Sequence, residues 1–486
     1  MDDWCPKGRD LKRYPHFDKF LPPEEITRIV TDPERVRANP FFPFMRYVKR
    51  WQPFRDGGKV SKKERPIRYA SRRDAYIFAY YRHILSGEYE QTLVKLGIDN
   101  CPIAYRRIPV GDGTGRGKCN IHFAKDVFDR IAELGNCCAV VLDISSYFEK
   151  IDHDRLRDIW CRLLDVDELQ PHHAAVFKAI TKYAVVDREK VYERLGYFGQ
   201  KKKGEEQIKG FLKPFGKMPM QLCSPKEFRE KICGHSPEYE SLVEVNDRPY
   251  GIPQGAPISD LLANMYLIDF DLSLVRYVSD KGGYCYRYSD DIIILLPGDE
   301  TVGREAKSFA SNLIKQFGDQ LVIKDEKTSI VKYRMVDGQQ EYEFVEGAQG
   351  KNGLEYLGFR FDGKRIYLRD STVSRFYRKI TFSLRHETSA LVARYPGKDH
   401  AFLVSHFSLE RFIQRFGRVE EFDENADYRS WTFWTYARRA AAIFGERGSP
   451  ILGQLRKHRR LVHQRVEREL AAALSRKIRR ELSRSS

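Results

Sequence analysis

Two short stretches hold the residues best placed to do chemistry. In Tyr288-Ser289-Asp290-Asp291, two adjacent carboxylates sit between Tyr284–Tyr288 and the apolar run Ile292 to Leu296, a pattern of strand, tight turn and strand that lifts both Asp side chains to a hairpin tip. In Ala139-Val140-Val141-Leu142-Asp143, an apolar run of the kind that forms a buried central strand ends on one Asp that emerges into a cleft. Neighbouring carboxylates resist ionising together unless a cation lies between them, and a buried unpaired one is costly. The hard cation that oxygen ligands suit beside a phosphate is Mg2+. Asp143 and Asp290, from separate strands, could bridge two such ions about 4 Å apart, the arrangement of a phosphoryl-transfer site. The competing readings are an Asp-rich surface turn for the pair and a helix-capping role for Asp143.

A third stretch runs from Gly251 through Pro253-Gln254-Gly255 to Ser259-Asp260-Leu261-Leu262-Ala263-Asn264. It reads as a Gly/Pro-rich loop feeding a helix, with glycine allowing close backbone approach and the helix start supplying unpaired N–H groups. Around these, the composition describes a chain able to build large cores: 486 residues, 42% hydrophobic and 13% aromatic, which implies two or three subdomains. Lys and Arg number 85 against 68 Asp and Glu, a formal charge of +17 that points to a polyanionic partner. Nine irregularly spaced Cys form no disulfide framework, and Cys223 with Cys233-Gly234-His235 is too loosely spaced for a zinc site. Met1-Asp2-Asp3-Trp4 does not open a signal peptide and no apolar run is long enough for a bilayer, so the expectation is a cytoplasmic protein without a membrane partner.

Read in order, residues 1–60 mix aromatics with proline and form a region packed on its neighbour. Lys62 to Tyr69 is a basic strand, Asp74 to Leu85 a helix, and Gly111 to Gly117 a flexible connection that lacks the Gly-Lys-Ser/Thr ending of a phosphate-binding loop. Asn120 to Leu134 is an amphipathic helix with Ile121, Phe123, Ala124, Val127, Phe128 and Ile131 inward. Residues 61–370 form the central body, with a basic insertion over about 187–247. Residues 371–486 are helical: one helix runs from Ser371 to Pro396, and a last one from Ile451 to Leu482 carries an apolar stripe among many arginines.

Asp143 to Phe148, Pro253-Gln254-Gly255 with its helix, and Tyr288-Ser289-Asp290-Asp291 stand in the order and approximate spacing of reverse transcriptase motifs A, B and C. Glu326-Lys327-Thr328 resembles motif D, and Tyr356-Leu357-Gly358-Phe359 resembles the motif E primer grip. Asn120 to Asp126 and Ile151-Asp152-His153 are similar to defence-associated bacterial enzymes. Ser259-Asp260 departs from the Ser-Pro that intron and retron enzymes carry. No segment resembles an RNase H, endonuclease or nitrilase domain. The chain therefore looks most like single-polypeptide defence-associated reverse transcriptases that use a structured noncoding RNA, types two and nine.

That resemblance implies an α+β, right-handed fingers-palm-thumb fold with an antiparallel palm sheet and a helical thumb. It implies an RNA-directed DNA polymerase that makes cDNA from dNTPs on a dedicated noncoding RNA in antiphage defence, with a homo-oligomer possible. Asp143, Ile144, Asp290 and Asp291 would hold two Mg2+, or Mn2+, with Lys327 as a catalytic residue near pyrophosphate. Phe148 would exclude a 2′-hydroxyl, Gln254 and Gly255 would line the nascent pair, and Arg106, with Lys63 and Arg65 behind it, would clamp the triphosphate. The bland roles are a core aromatic for Phe148 and a solvated Lys327. Outside the motifs, Lys201, Lys202, Lys203 and Lys209 with Phe211, and Arg456, Arg459 and Arg460, are the candidate RNA contacts. A solvated lysine-rich loop and a subunit-contact helix are the alternatives. The rival functions are a weakly templated or homopolymer-making DNA polymerase, a retron or intron-type enzyme, and a non-catalytic RNA-binding scaffold.

Overall fold

The computed structural model describes residues 4–6, 8, 11–51, 63–203, 206–347, 351–416 and 432–485. Residues 52–62, which close the expected amino-terminal region and include Lys62, lie outside them. The fold is mixed α+β. Strands Gln339–Gly347, Ser329–Val336, Cys137–Asp143, Asp291–Pro297 and Tyr284–Tyr288 form a five-stranded sheet in that order. Ser329–Val336 pairs antiparallel with Cys137–Asp143, Ser329 opposite Val141 and Tyr333 opposite Cys137. The interior strand Asp291–Pro297 is apolar because both its faces are covered: Ile292 to Leu296 are all buried.

The chain divides into two compact units that interleave along the sequence. The first comprises Met1–Arg106, Leu142–Ile294 and Ala306–Lys324. Its four-stranded sheet runs Lys63–Tyr69, Phe44–Trp51, Ala184–Asp187, Glu244–Val245. Helix Arg72–Leu96 starts where the Ser71 hydroxyl accepts from Asp74 N–H and ends at Gly97, whose φ of 70° closes it. It outruns the expected Asp74 to Leu85 because Tyr89 and Leu93 continue the buried face. The basic insertion contains a hairpin of Phe198–Lys203 and Glu206–Phe211, seated on a core of Phe17, Met45, Val186, Tyr192 and Leu222.

The second unit comprises Arg107–Val141, Leu295–Glu305 and Asp325–Ser486. Helix Asn120–Leu134 has the expected bounds and buries the six expected residues. The 111–117 segment is no slack connection: Val110 N–H donates to Arg116 O (2.9 Å) and Lys118 N–H to Ile108 O (2.7 Å), closing a short hairpin. Leu354–Tyr356, Phe359–Phe361 and Ile366–Leu368 make a three-stranded sheet, its first turn formed by Leu357 and Gly358, both at positive φ. Helix Asp370–Arg394 packs on the last helix through Arg465 to Tyr377 O (2.8 Å) and Arg385 to Glu469 (3.1 Å). The expected helix from Ile451 is two helices, Ser449–Gly453 and His458–Ser485, because Gly453 ends the first and Leu455 turns inward at the break. Among the described residues no helix is long and apolar enough to cross a membrane.

Candidate active site

The hairpin leaves only Ser289 and Asp290 between strands Tyr284–Tyr288 and Asp291–Pro297. So tight a turn needs left-handed backbone, and Ser289 supplies it at φ 61°. The turn is bonded to the other carboxylate strand: Ile144 N–H donates to Asp290 O at 3.0 Å. The opposite side of the same segment is held by Lys324 N–H to Asp143 O (3.3 Å) and Ser145 N–H to Val322 O (2.9 Å). Asp143 and Asp290, 147 positions apart in sequence, thus sit on neighbouring strand ends with main chains fixed by hydrogen bonds, and Asp291 opens the following strand.

Behind the turn lies a charged network that the sequence reading missed. Cys285, Arg287 and Ser289 alternate inward along the hairpin, and all three are buried. Arg287 binds the Asp271 carboxylate through Nε and Nη2 (2.6 and 2.5 Å), donates from Nη1 to Ser289 O (3.1 Å) and Asn264 Oδ1 (3.2 Å), and from Nη2 to Asn264 O (3.1 Å). Burial pushes the Asp271 carboxyl's pKa up and the adjacent guanidinium opposes that shift. The turn carrying Asp290 is therefore anchored from inside to helices Ser259–Tyr266 and Ile268–Ser279. The available signal was an arginine at an inward position of an apolar strand, which is tolerated only with a partner.

The Gly/Pro loop is tied on both sides. Gly251 N–H donates to Ile151 O and Ile252 N–H to Phe148 O, each at 2.8 Å, while Arg68 N–H donates to Gln254 O at 3.0 Å. Gly255 has φ 121°, and a Cβ there would stand 2.5 Å from Arg68 O, so only glycine fits against strand Lys63–Tyr69. Phe148, half-buried, lies on the single turn Tyr147–Glu149 beside the buried Tyr147 ring. Lys63 and Arg65 are on the strand that this loop touches, and Arg65 is exposed.

Other expected residues fall elsewhere. Arg106 is locked into the fold: Nε and Nη2 grip Glu90 (2.8 and 2.6 Å), while Nη1 donates to Pro102 O (2.6 Å) and to Asp99 O. With these donors engaged and the side chain only 6% exposed, a triphosphate clamp at Arg106 is not what this geometry provides. Lys327 ends the turn Asp325–Lys327 in the second unit. In the insertion, Phe211 packs against Phe198, Tyr192 and Phe215, so its ring is engaged in packing. Lys209 pairs with Glu193, Lys201 Nζ donates to Phe211 O (2.9 Å), and Lys202 is exposed. Lys203 ends the strand, and its side chain lies outside the description. Arg456 and Arg460 are exposed, and Arg459 pairs with Glu410 at 2.5 Å.

Among the described residues no group of three His, Cys, Asp or Glu side chains forms a ready-made metal site. The carboxylates of Asp143, Asp290 and Asp291 nonetheless supply the all-oxygen chemistry that Mg2+ takes, and Ile144, its side chain buried, can contribute only main-chain atoms.

No protein-family profile and no curated protein matches the chain. Among solved structures, it is similar to telomerase from Candida albicans in complex with a fragment of telomeric RNA, at 8% identity and TM-score 0.38, covering 91% of this chain and 64% of that one. Apo telomerase from Candida tropicalis is similar at 11% identity and TM-score 0.37, covering 89% of this chain and 64% of that one. A form of that enzyme truncated from its C-terminal domain is similar at 9% identity and TM-score 0.38, covering 67% and 55%. The chain thus spans 55–64% of the length of the telomerase chains it matches.

Proposed function

We propose that this chain is an RNA-directed DNA polymerase of the reverse transcriptase type, with the first unit contributing the catalytic palm and fingers. The observation that supports the reading best is the hydrogen bond from Ile144 to Asp290, which ties together the two segments whose carboxylates the sequence pairs by residue type and order. Asp143, Asp290 and Asp291, with the Ile144 main chain, are the residues that would hold two Mg2+ or Mn2+ ions, and such ions would neutralise a triphosphate and acidify a primer hydroxyl. The chain's own part is positional. Arg287 and Asn264 fix the turn, Ile252 bonded to Phe148 O sets that ring's backbone, and Gly255 lets the loop lie against the strand of Lys63 and Arg65. Phe148 is the gate against a 2′-hydroxyl and Gln254 lines the nascent pair. A dedicated noncoding RNA, its cDNA and a role in antiphage defence rest on the motif resemblance, and the +17 charge agrees with an RNA partner.

The test is dNTP incorporation on a primed RNA template by wild type and Asp290→Asn. Wild type should extend the primer with Mg2+, and the variant, isosteric but one ligand charge short, should lose synthesis while keeping its melting temperature. A wild-type protein that binds RNA and incorporates nothing would make it a scaffold. Products that ignore the template sequence would make it a weakly templated polymerase.

A further inference from the structure

Tyr105 has a conformation that its own packing does not require. Ile103 and Ala104 before it are buried, yet Tyr105 leaves 44% of its surface exposed and takes φ 62°, a left-handed backbone rare for a bulky L-residue. Such a residue persists where its surroundings impose it, and such sites cluster at ligand contacts. Here the imposition is visible. Arg82 of helix Arg72–Leu96 donates from Nη2 to Tyr105 O (3.2 Å) while gripping the Asp260 carboxylate through Nε and Nη2 (3.0 and 3.1 Å). Asn264 Nδ2, one turn further along the same helix as Asp260, holds Ala104 O at 2.6 Å. Asp260 is the residue at which the loop departs from the Ser-Pro pattern, and this bridge is what it does.

The result is an exposed aromatic ring fixed beside the catalytic turn: its centroid is 6.2 Å from that of Tyr288, the planes 47° apart, and its hydroxyl lies beside Ser289. The two rings are too tilted to sandwich a base between them, which leaves the outward face of Tyr105 for stacking. We propose that Tyr105 is a substrate-contacting residue whose ring stacks on a nucleobase at the Ser289-Asp290 turn, with the Arg82–Asp260 bridge setting its orientation. This rests on the polymerase reading, and the base is that of the incoming nucleotide or of the primer end.

The test uses 2-aminopurine, whose fluorescence is quenched on stacking, either as its deoxynucleoside triphosphate with an unlabelled primer-template or placed at the primer 3′ end. Both probes are titrated onto the full chain as wild type, Tyr105→Phe, Tyr105→Leu and Asp260→Asn, each checked by melting. Phe, which keeps the ring, should retain quenching and affinity. Leu should lose quenching for one probe and raise that probe's Kd by roughly 5- to 150-fold, the range of a stacked base. Asp260→Asn should move the same probe in the same direction. The probe that responds identifies the base. Leu with wild-type quenching and affinity for both probes, or Phe as impaired as Leu, overturns the proposal. Wild type that fails to extend a primer but shows Tyr105-dependent quenching removes the polymerase reading and keeps the stacking. Template-directed synthesis with Tyr105-independent quenching does the reverse.

Discussion

At the scale of single residues, the turn that carries Asp290 depends on a charge that never reaches solvent. Arg287 and Asp271 are both fully buried, and removing one partner of such a pair leaves the other uncompensated, typically at about 3–5 kcal/mol. Arg287→Met should therefore destabilise the protein by about that amount. Replacing both residues, as Arg287→Met with Asp271→Leu, should recover most of the stability, since apolar packing often matches a buried ion pair. Activity should not return with it, because the Ser289 carbonyl still lacks its Nη1 donor and the Asp290 turn its internal anchor. Chemical denaturation of the three proteins beside their incorporation rates tests this. A double variant that is both stable and fully active would show that Arg287 serves the fold alone. Asp143, Asp290 and Asp291 stand out in the sequence by type and spacing, and the fold bonds the segments of the first two together through Ile144 and Asp290. The sequence did not make Arg287 legible as an anchor, since its partners Asp271 and Asn264 come from helices whose approach is a tertiary fact. The same gap explains Arg106, where a forked donor in a suitable place was read as a clamp and Glu90 occupies it.

Among the elements, period and apolar phase predicted what local burial decides. Helix Asn120–Leu134 appeared with the expected bounds because its face, cap and ending glycine agree. The break in the last helix was not legible because its apolar stripe reads the same with or without an interruption at Gln454 to Lys457. The break places His458 at the head of the final helix, buried among Phe376, Tyr377 and Trp434 with neither ring nitrogen hydrogen-bonded. Burial, with Arg465 nearby, lowers its pKa from 6.5 to about 4. The folded imidazole thus takes a proton less readily than the unfolded one, so its contribution is complete above pH 6.5 and is lost as pH falls toward 4. His458→Phe, which fills the slot without unpaired nitrogens, should be the more stable protein at pH 7 by about 1–3 kcal/mol. Its advantage should widen at pH 4.5, where His16 and His173, lowered to about 3 and about 4, still act equally in both proteins. Melting at the two pH values decides it: an identical gap at both would mean that His458 does not stay neutral in the fold.

For the whole molecule, an excess of +17 has to be reconciled with how many of the expected basic contacts are already engaged. Lys209 and Arg459 have acidic partners and Lys201 a backbone carbonyl, whereas Lys202, Arg456 and Arg460 are exposed. Exposed pairs are worth little and can exchange for phosphate, so the paired residues remain candidate contacts. Of the two insertion aromatics expected to stack on RNA, Phe211 packs within the fold, and Phe215, 51% exposed at the foot of the insertion hairpin, is the one left as a candidate. If a dedicated RNA engages both the insertion and the final helix, neutralising Lys201 and Lys202, or Arg456 and Arg460, should each flatten the salt dependence of binding. The log-log slope should fall by roughly 0.7 to 0.9 per lost phosphate contact, without a change in which RNA is preferred. Phe215→Ala should do the opposite, leaving the slope and narrowing the preference for the cognate RNA over a scrambled one of equal length by about 1–3 kcal/mol per stacked base. Binding of the copurified and scrambled RNAs across a salt series, with wild type and the three variants, separates the two contributions. Equal affinity for both RNAs, with slopes that no variant alters, would leave the charge as a generic property of the surface and the insertion without an RNA to hold.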